Sequence, residues 1–438
     1  MKSRYIAYFL LLLVAVSCEP KLDDYTPSAG SADFSKYISV GNSLTAGYAD
    51  GDLYLTSQNY SYPNIIAQQL KLVGGGEFKQ PLMFDELGFG NKRVLQIVQP
   101  LDCSGNPDGD PSPMPVLAGG VPDQRNFTSI AANGPYNNLG VPGAKSFHLL
   151  LPNYGSLNPY FGRFTTSPLS KSVIGMAKES NASFFSLWIG NNDVLSYALA
   201  GGEGDAITSQ ETFEATYTML LDSLTANGAK GFVGSIPDVT SVPYFNTIPY
   251  NGLVLVDQTD VDKLNLLHAS IGTGIVFNLG QNPFIIEDPL APNGKGMREM
   301  VEGELLLLSL PQDSIKCRGW GSQRPIRANF VLDINEIELL TDAVGGYNET
   351  IKSLADEKGL AYADANTFMK NAKSGIIFDG MRFSASFIRG GIFSLDGIHL
   401  SPRGNAIIAN FFIDAINLKY NAAIPHVNVG DYPGLVFP

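Results

Sequence analysis

Cysteine and histidine are scarce in this chain, with three and four residues in 438. The cysteines stand at positions 18, 103 and 317, and no cluster of histidines accompanies them, so no metal-ligand set can be assembled. An oxidising compartment permits a bridge between Cys103 and Cys317, and the sequence leaves bridge and free thiols both open. Cations are outnumbered, 29 Lys and Arg against 42 Asp and Glu, for a formal charge of −13. That balance argues against a nucleic-acid partner. Internal repeats are absent. Only one apolar run near the N-terminus is long, from Tyr5 to Val16, and it falls short of the roughly 20 residues that a spanning helix needs.

Lys2 and Arg4 precede that run, and Ser17-Cys18 follows it. A charged start, an apolar stretch and a small residue before the cut predict a cleaved export signal over residues 1–17. Ala15-Val16-Ser17-Cys18 looks like a bacterial lipobox, in which the new N-terminal cysteine is acylated, although Ala15 stands where Leu is commoner. The bland alternative is an ordinary signal peptide with a coincidental cysteine. Residues 18–32 are polar and carry Pro20, Pro27 and Gly30, as a tether from membrane to folded domain would. Asp23-Asp24 hints at surface export of the kind seen in Bacteroidetes-like lipoproteins. The expected location is the cell envelope, anchored by lipid on Cys18 to the outer membrane, on its periplasmic or cell-surface face.

With the leader removed, the chain exceeds the usual size of one domain, which predicts two domains or one domain with large insertions. Tyr37 to Val40 reads as a strand that runs into the turn holding Ser43, and helical material follows around Asn64 to Leu72. Residues 74–135 are rich in Gly, Pro, Asn and Asp and read as a loop-rich insertion. Gly74-Gly75-Gly76 lacks the Lys-Ser/Thr pair of a phosphate loop and reads as a turn. Ser183 to Ile189 is a second strand, Thr212 to Ala226 a helix, and Gly231 to Ile236 a third strand. Between about 243 and 327 prolines punctuate the chain and the pattern breaks, which predicts a second insertion, a candidate cap over the site. Asp333 to Glu336 has capping-box spacing and opens a helix to about Lys358. Leu360 to Ala363 is a strand, and Ser401-Pro402 starts a helix through Ile416. One folded domain carrying both insertions is expected over residues 33–420, with a tail over 421–438.

Four short segments carry chemistry. A serine hydroxyl needs exposure on a turn beside a base, and Gly41-Asn42-Ser43-Leu44 after a strand provides the turn. Taken alone, such a serine is more often a turn residue. Near the other end, Asp396 and His399 are three apart, a spacing that can bring the carboxylate to Nδ1 and leave Nε2 for the serine proton. His148, His268 and His426 read as solvated or core histidines. An oxyanion needs two or three donors about 3 Å away, and the Ser43 N–H, the Gly143 N–H and the Asn192 amide can supply them. Asp193 is expected to fix its loop through local backbone N–H groups.

Together these segments resemble the SGNH, or GDSL-type, hydrolase family. The resemblance makes Ser43 the nucleophile, Gly143 and Asn192 oxyanion donors, and Asp396 and His399 the rest of the triad. Asn42 stands where the family usually has Asp, and Gly140 is an alternative to Gly143. It covers roughly Tyr37 to Tyr420 and implies a three-layer α/β/α fold with a central parallel sheet, flavodoxin-like in kind, carrying two large loop-rich insertions. An α/β-hydrolase elbow is rejected because Thr45 occupies the place of its second glycine. The implied activity is hydrolysis of carboxylic esters through an acyl-enzyme, with no metal or organic cofactor. The acyl-ester substrate is a glycan or a lipid, and small acyl groups on glycans are favoured by location alone. The alternatives are a non-catalytic surface glycan-binding lipoprotein, and a lipase or acyltransferase working on the same triad.

Overall fold

A computed structural model describes residues 26–438. The segment expected to be a signal peptide, Cys18 and Asp23-Asp24 lie outside the described residues. Five strands form one parallel sheet: β1 (Tyr37–Gly41), β2 (Asn138–Gly140), β3 (Phe184–Trp188), β4 (Lys230–Gly234) and β5 (Ala361–Ala363). Their spatial order is β2-β1-β3-β4-β5, and every neighbouring pair is parallel. This is the flavodoxin-like order, with the direction of winding reversed at β1. β1 and β3 are buried along their whole length, as strands covered by helices on both faces must be.

Alternation along β3 sends Phe184 and Trp188 to one face. There Trp188 meets Tyr62 and Phe412 edge-on, and Phe184 meets Tyr420, so the Tyr62–Lys71 and Pro402–Tyr420 helices form one outer layer. The other layer holds the Val173–Glu179, Gln210–Thr225 and Ile334–Glu357 helices, the last two joined by Phe213 stacked on Tyr347 at 4.0 Å. The expected three-layer architecture is therefore observed. The helix from Ile334 carries the expected capping box between Asp333 and Glu336. The last helix runs four residues beyond the expected Ile416, because Tyr420 is still buried against the sheet, and Asn421 ends it in the left-handed region.

Two features had no adequate signal. β2 is only three residues long, too short for any alternation to show. The Gln258–Ile271 helix lies inside the stretch read as irregular, and it buries only Val261, Leu264 and His268.

Residues 74–135 contain an antiparallel hairpin of Arg93–Val98 with Ser112–Leu117. Residues 243–327 contain short strand pairs and apolar clusters separate from the main core. Cys103 and Cys317 are joined in a disulfide, which settles the open question and links the two insertions. Beside it, Lys316 Nζ reaches Asp108 at 2.6 Å and the Leu101 carbonyl at 2.7 Å. Residues beyond Tyr420 are pinned to the body: Ala423 pairs with Ser28, and Ile424 and Val429 are buried.

Candidate active site

Register sets the site. Gly41 at the end of β1 lies level with Gly140 of β2 and Trp188 of β3, so the turns leaving all three strands emerge side by side. Ligands of open parallel sheets sit at such carboxyl ends, where the winding reverses.

The turn after β1 opens a one-turn helix, Ser43–Ala46. Asn42 caps it, its Oδ1 accepting the Leu44 N–H at 3.1 Å. An aspartate could do the same. Only an amide can also donate, and Asn42 Nδ2 gives a hydrogen bond to Asn191 Oδ1 at 3.3 Å. The substitution in the first motif therefore ties the serine turn to the turn after β3.

Ser43 Oγ lies 2.8 Å from His399 Nε2, and His399 Nδ1 lies 2.9 Å from Asp396 Oδ2. Residues 356 positions apart in the chain thus form one hydrogen-bonded row. Asp396 Oδ1 accepts the backbone N–H groups of Ile398 and His399, both at 2.9 Å, and the Ser394 hydroxyl at 3.1 Å. Its Oδ2 also accepts the Gly51 N–H at 3.0 Å. Burial alone would push this carboxyl up, but the electrostatic pull of the His399 ring and the hydrogen bonds from His399 and Ile398 outweigh it and hold it well below the ordinary carboxylate range. An ionised carboxylate can only accept, so the Nδ1 proton is fixed and Nε2 is left to accept from Ser43.

Residues 48–51, just beyond the serine helix, brace this loop, a role that sequence reasoning missed. Asp50 accepts the Leu395 N–H at 2.8 Å, and the Asp50 N–H donates to Ser394 at 2.9 Å. Burial pushes the Asp50 carboxyl up, against its hydrogen bonds from Tyr54 and Leu395. The Tyr48 ring lies 4.7 Å from the His399 ring. These partners are separated by about 345 positions, and no local pattern announces them.

Gly143 follows β2 with φ +78°, and no atom lies within 4 Å of where a Cβ would sit. It is exposed between buried neighbours, and no hydrogen bond among the described residues uses its N–H. Gly140, by contrast, is buried and donates to Asn138 Oδ1 at 3.0 Å. The Ser43 N–H, first in its helix, has no intrahelical acceptor. Asn192 donates one N–H to the Ala144 carbonyl at 2.9 Å and has a second to offer.

Asp193 departs from expectation. It accepts the Ser146 N–H at 2.8 Å and the Ser146 hydroxyl at 2.7 Å, 47 residues away, so it fixes the Gly143 loop rather than its own. Gly190 supplies the bend before these residues: at φ +115° a Cβ would fall 2.5 Å from Ile236.

Ser43, Asn192 and His399 line one cavity of about 50 Å³, together with Trp188, Leu195 and Val242. Its wall ends one residue short of the second insertion. Among the described residues, that insertion meets the site instead at Gly397, whose carbonyl accepts the Tyr244 N–H at 3.0 Å. The other histidines lie elsewhere. His268 is fully buried against Thr273 and Ser322, His426 pairs with Asp414 at the surface, and His148 stacks on Tyr154.

The model of the GDSL-like lipase/acylhydrolase family matches residues 37–412. The chain belongs to that family. Ester hydrolysis is accordingly its class of activity, and an acyl ester its class of substrate. No curated protein matches the chain. Among solved structures, one from Parabacteroides merdae, provisionally described as a GDSL-like lipase, shares 12% identity. It covers 90% of this chain and 100% of its own, with a TM-score of 0.36. An α/β hydrolase enzyme from the metagenome of Lake Arreo also shares 12% identity, covering 88% of this chain and 96% of its own, with a TM-score of 0.34. Overlaps that low add nothing to the argument from the site.

Proposed function

We propose that this GDSL-family hydrolase is an exported serine esterase in which Ser43, His399 and Asp396 act as the triad. The observation that carries the reading is the row from Asp396 through His399 to Ser43 Oγ at 2.9 and 2.8 Å, set at the carboxyl end of β1. Ser43 Oγ attacks the ester carbonyl as its proton passes to His399 Nε2, and Asp396 holds the imidazolium that results. The oxyanion is met by the Ser43 and Gly143 N–H groups and by the free N–H of Asn192. His399 then returns the proton to the departing alcohol, and a water activated by the same imidazole hydrolyses the acyl-enzyme.

For the alcohol part we propose a glycan of the cell envelope. Supporting it is a run of four rings leading from His399 to the surface: Tyr48, Tyr160, Phe89 and the exposed Phe127, with centroids 4.8 to 6.2 Å apart. Such a run can stack on sugar rings. For location we propose acylation of Cys18 and anchoring in the outer membrane, on the sequence pattern alone.

Purified wild type should hydrolyse p-nitrophenyl acetate, and Ser43→Ala, folded by circular dichroism, should lose roughly 10⁶ of kcat. Substantial turnover in the folded variant would remove Ser43 as nucleophile. Cys18→Ser should move the protein from the membrane fraction to the soluble one, and an unchanged membrane fraction would contradict the anchor.

A further inference from the structure

The cavity beside Ser43 differs chemically from the open ground around Gly143. Its polar lining is formed by Asn42, Ser43, Asn191, Asn192 and His399. Its apolar walls include Trp188, Leu195, Val239, Val242, Met369 and Phe393, each less than one tenth exposed. No lysine, arginine, aspartate or glutamate lines it. The one polar atom that an indole could offer is already committed, since Trp188 Nε1 donates to the Ser235 carbonyl at 3.0 Å. A charged group set against these apolar walls would lose its water and find no lysine, arginine or carboxylate to pair with.

The two parts of an ester have different needs. The acyl group stays on Ser43 after the first step, whereas the alcohol must leave and water must come in. An apolar wall suits the group that stays, and the open ground at exposed Gly143 suits the one that leaves. The volume of about 50 Å³ is that of a small cavity, which suits a short chain better than a long one.

On the serine-esterase reading above, we propose that this cavity is the acyl pocket and that it selects an unbranched, uncharged aliphatic acyl group of short length, with Met369 and Val242 among the walls that limit its size. Long-chain lipid esters are then poor substrates, whatever their alcohol.

The test is a series of p-nitrophenyl esters from acetate to decanoate, in which the leaving group never changes, assayed on the full-length protein. In the wild type, kcat/KM should rise by up to about fourfold per methylene while carbons still enter the pocket, and fall steeply once it is full, before octanoate. Met369→Ala should move the optimum to longer chains, and Val242→Phe should move it to acetate. Opposite shifts in two variants are not what a general loss of folding produces. A wild-type profile that stays flat or climbs to decanoate, or an optimum unmoved by both variants, overturns the acyl pocket while leaving the esterase intact. Absence of any ester turnover, with no fluorophosphonate labelling of the folded wild type, overturns the esterase reading and the pocket with it.

Discussion

The sheet and the insertions of this protein are built on different principles. The central strands β1 and β3 bury every residue between two helical layers, and one continuous apolar core joins them to the Pro402–Tyr420 helix. The segments over 74–135 and 243–327 rely on short antiparallel pairs, small separate clusters and a disulfide between Cys103 and Cys317. Ser43, Asn192 and Gly143 all leave the ends of sheet strands, and His399 directly precedes a core helix. The proposed chemistry is thus mounted on the sheet, and among the described residues the second insertion meets it at Gly397. Such a division lets substrate preference change in the loops without disturbing the reacting atoms.

Three variants would sharpen or break that division. The largest effect is expected at the end of β3, where Asn192→Ala should lower kcat by roughly 10² to 10³ with little change in KM, as the loss of an oxyanion donor does. An unaltered kcat would return Asn192 to a structural role, holding the Ala144 carbonyl alone. A smaller effect is expected in the insertions. The double variant Cys103→Ser/Cys317→Ser should keep its turnover of p-nitrophenyl acetate while limited proteolysis begins to cut near the Arg93–Leu117 hairpin. Loss of turnover at unchanged folding would show that the insertions hold the site after all.

The smallest effect lies on the border between the two regions. Desolvation, together with the nearby carboxylates of Asp333, Glu203 and Glu304, pushes the Glu336 carboxyl up to about 7. A carboxyl whose folded pKa is raised binds its proton more tightly in the native state, so stability falls as pH rises from the unfolded value of about 4.3 through 7. Glu336→Gln keeps an acceptor for the Asp333 N–H and should raise Tm at pH 8, the gain vanishing by pH 4. An equal change at both pH values would point to packing instead of charge.

Much of the site is legible in the sequence because its chemistry sits in contiguous segments: Gly41 to Leu44, Gly190 to Asp193 and Asp396 to His399. Each is a strand end or a helix approach, and those carry local signals. What is not legible is what joins them. The Gly51 N–H on Asp396, the Asp50 carboxylate on Leu395, and Asp193 on Ser146 are contacts between distant segments that only the sheet register brings together. The same holds for Asn42. Its type reads as a departure from the family pattern, and its donor to Asn191 is visible only once β1 and β3 are paired. β2 escapes because three residues carry no period, and the Gln258–Ile271 helix because it covers a small satellite cluster instead of the main core.

The central claim is that Ser43 becomes acylated. Treatment of the purified protein with a fluorophosphonate, followed by digestion and mass spectrometry, addresses it directly. A single adduct on Ser43, absent when His399 is replaced by alanine, is the result expected. An adduct on another residue, or none on a folded protein that still turns over esters, would contradict the account.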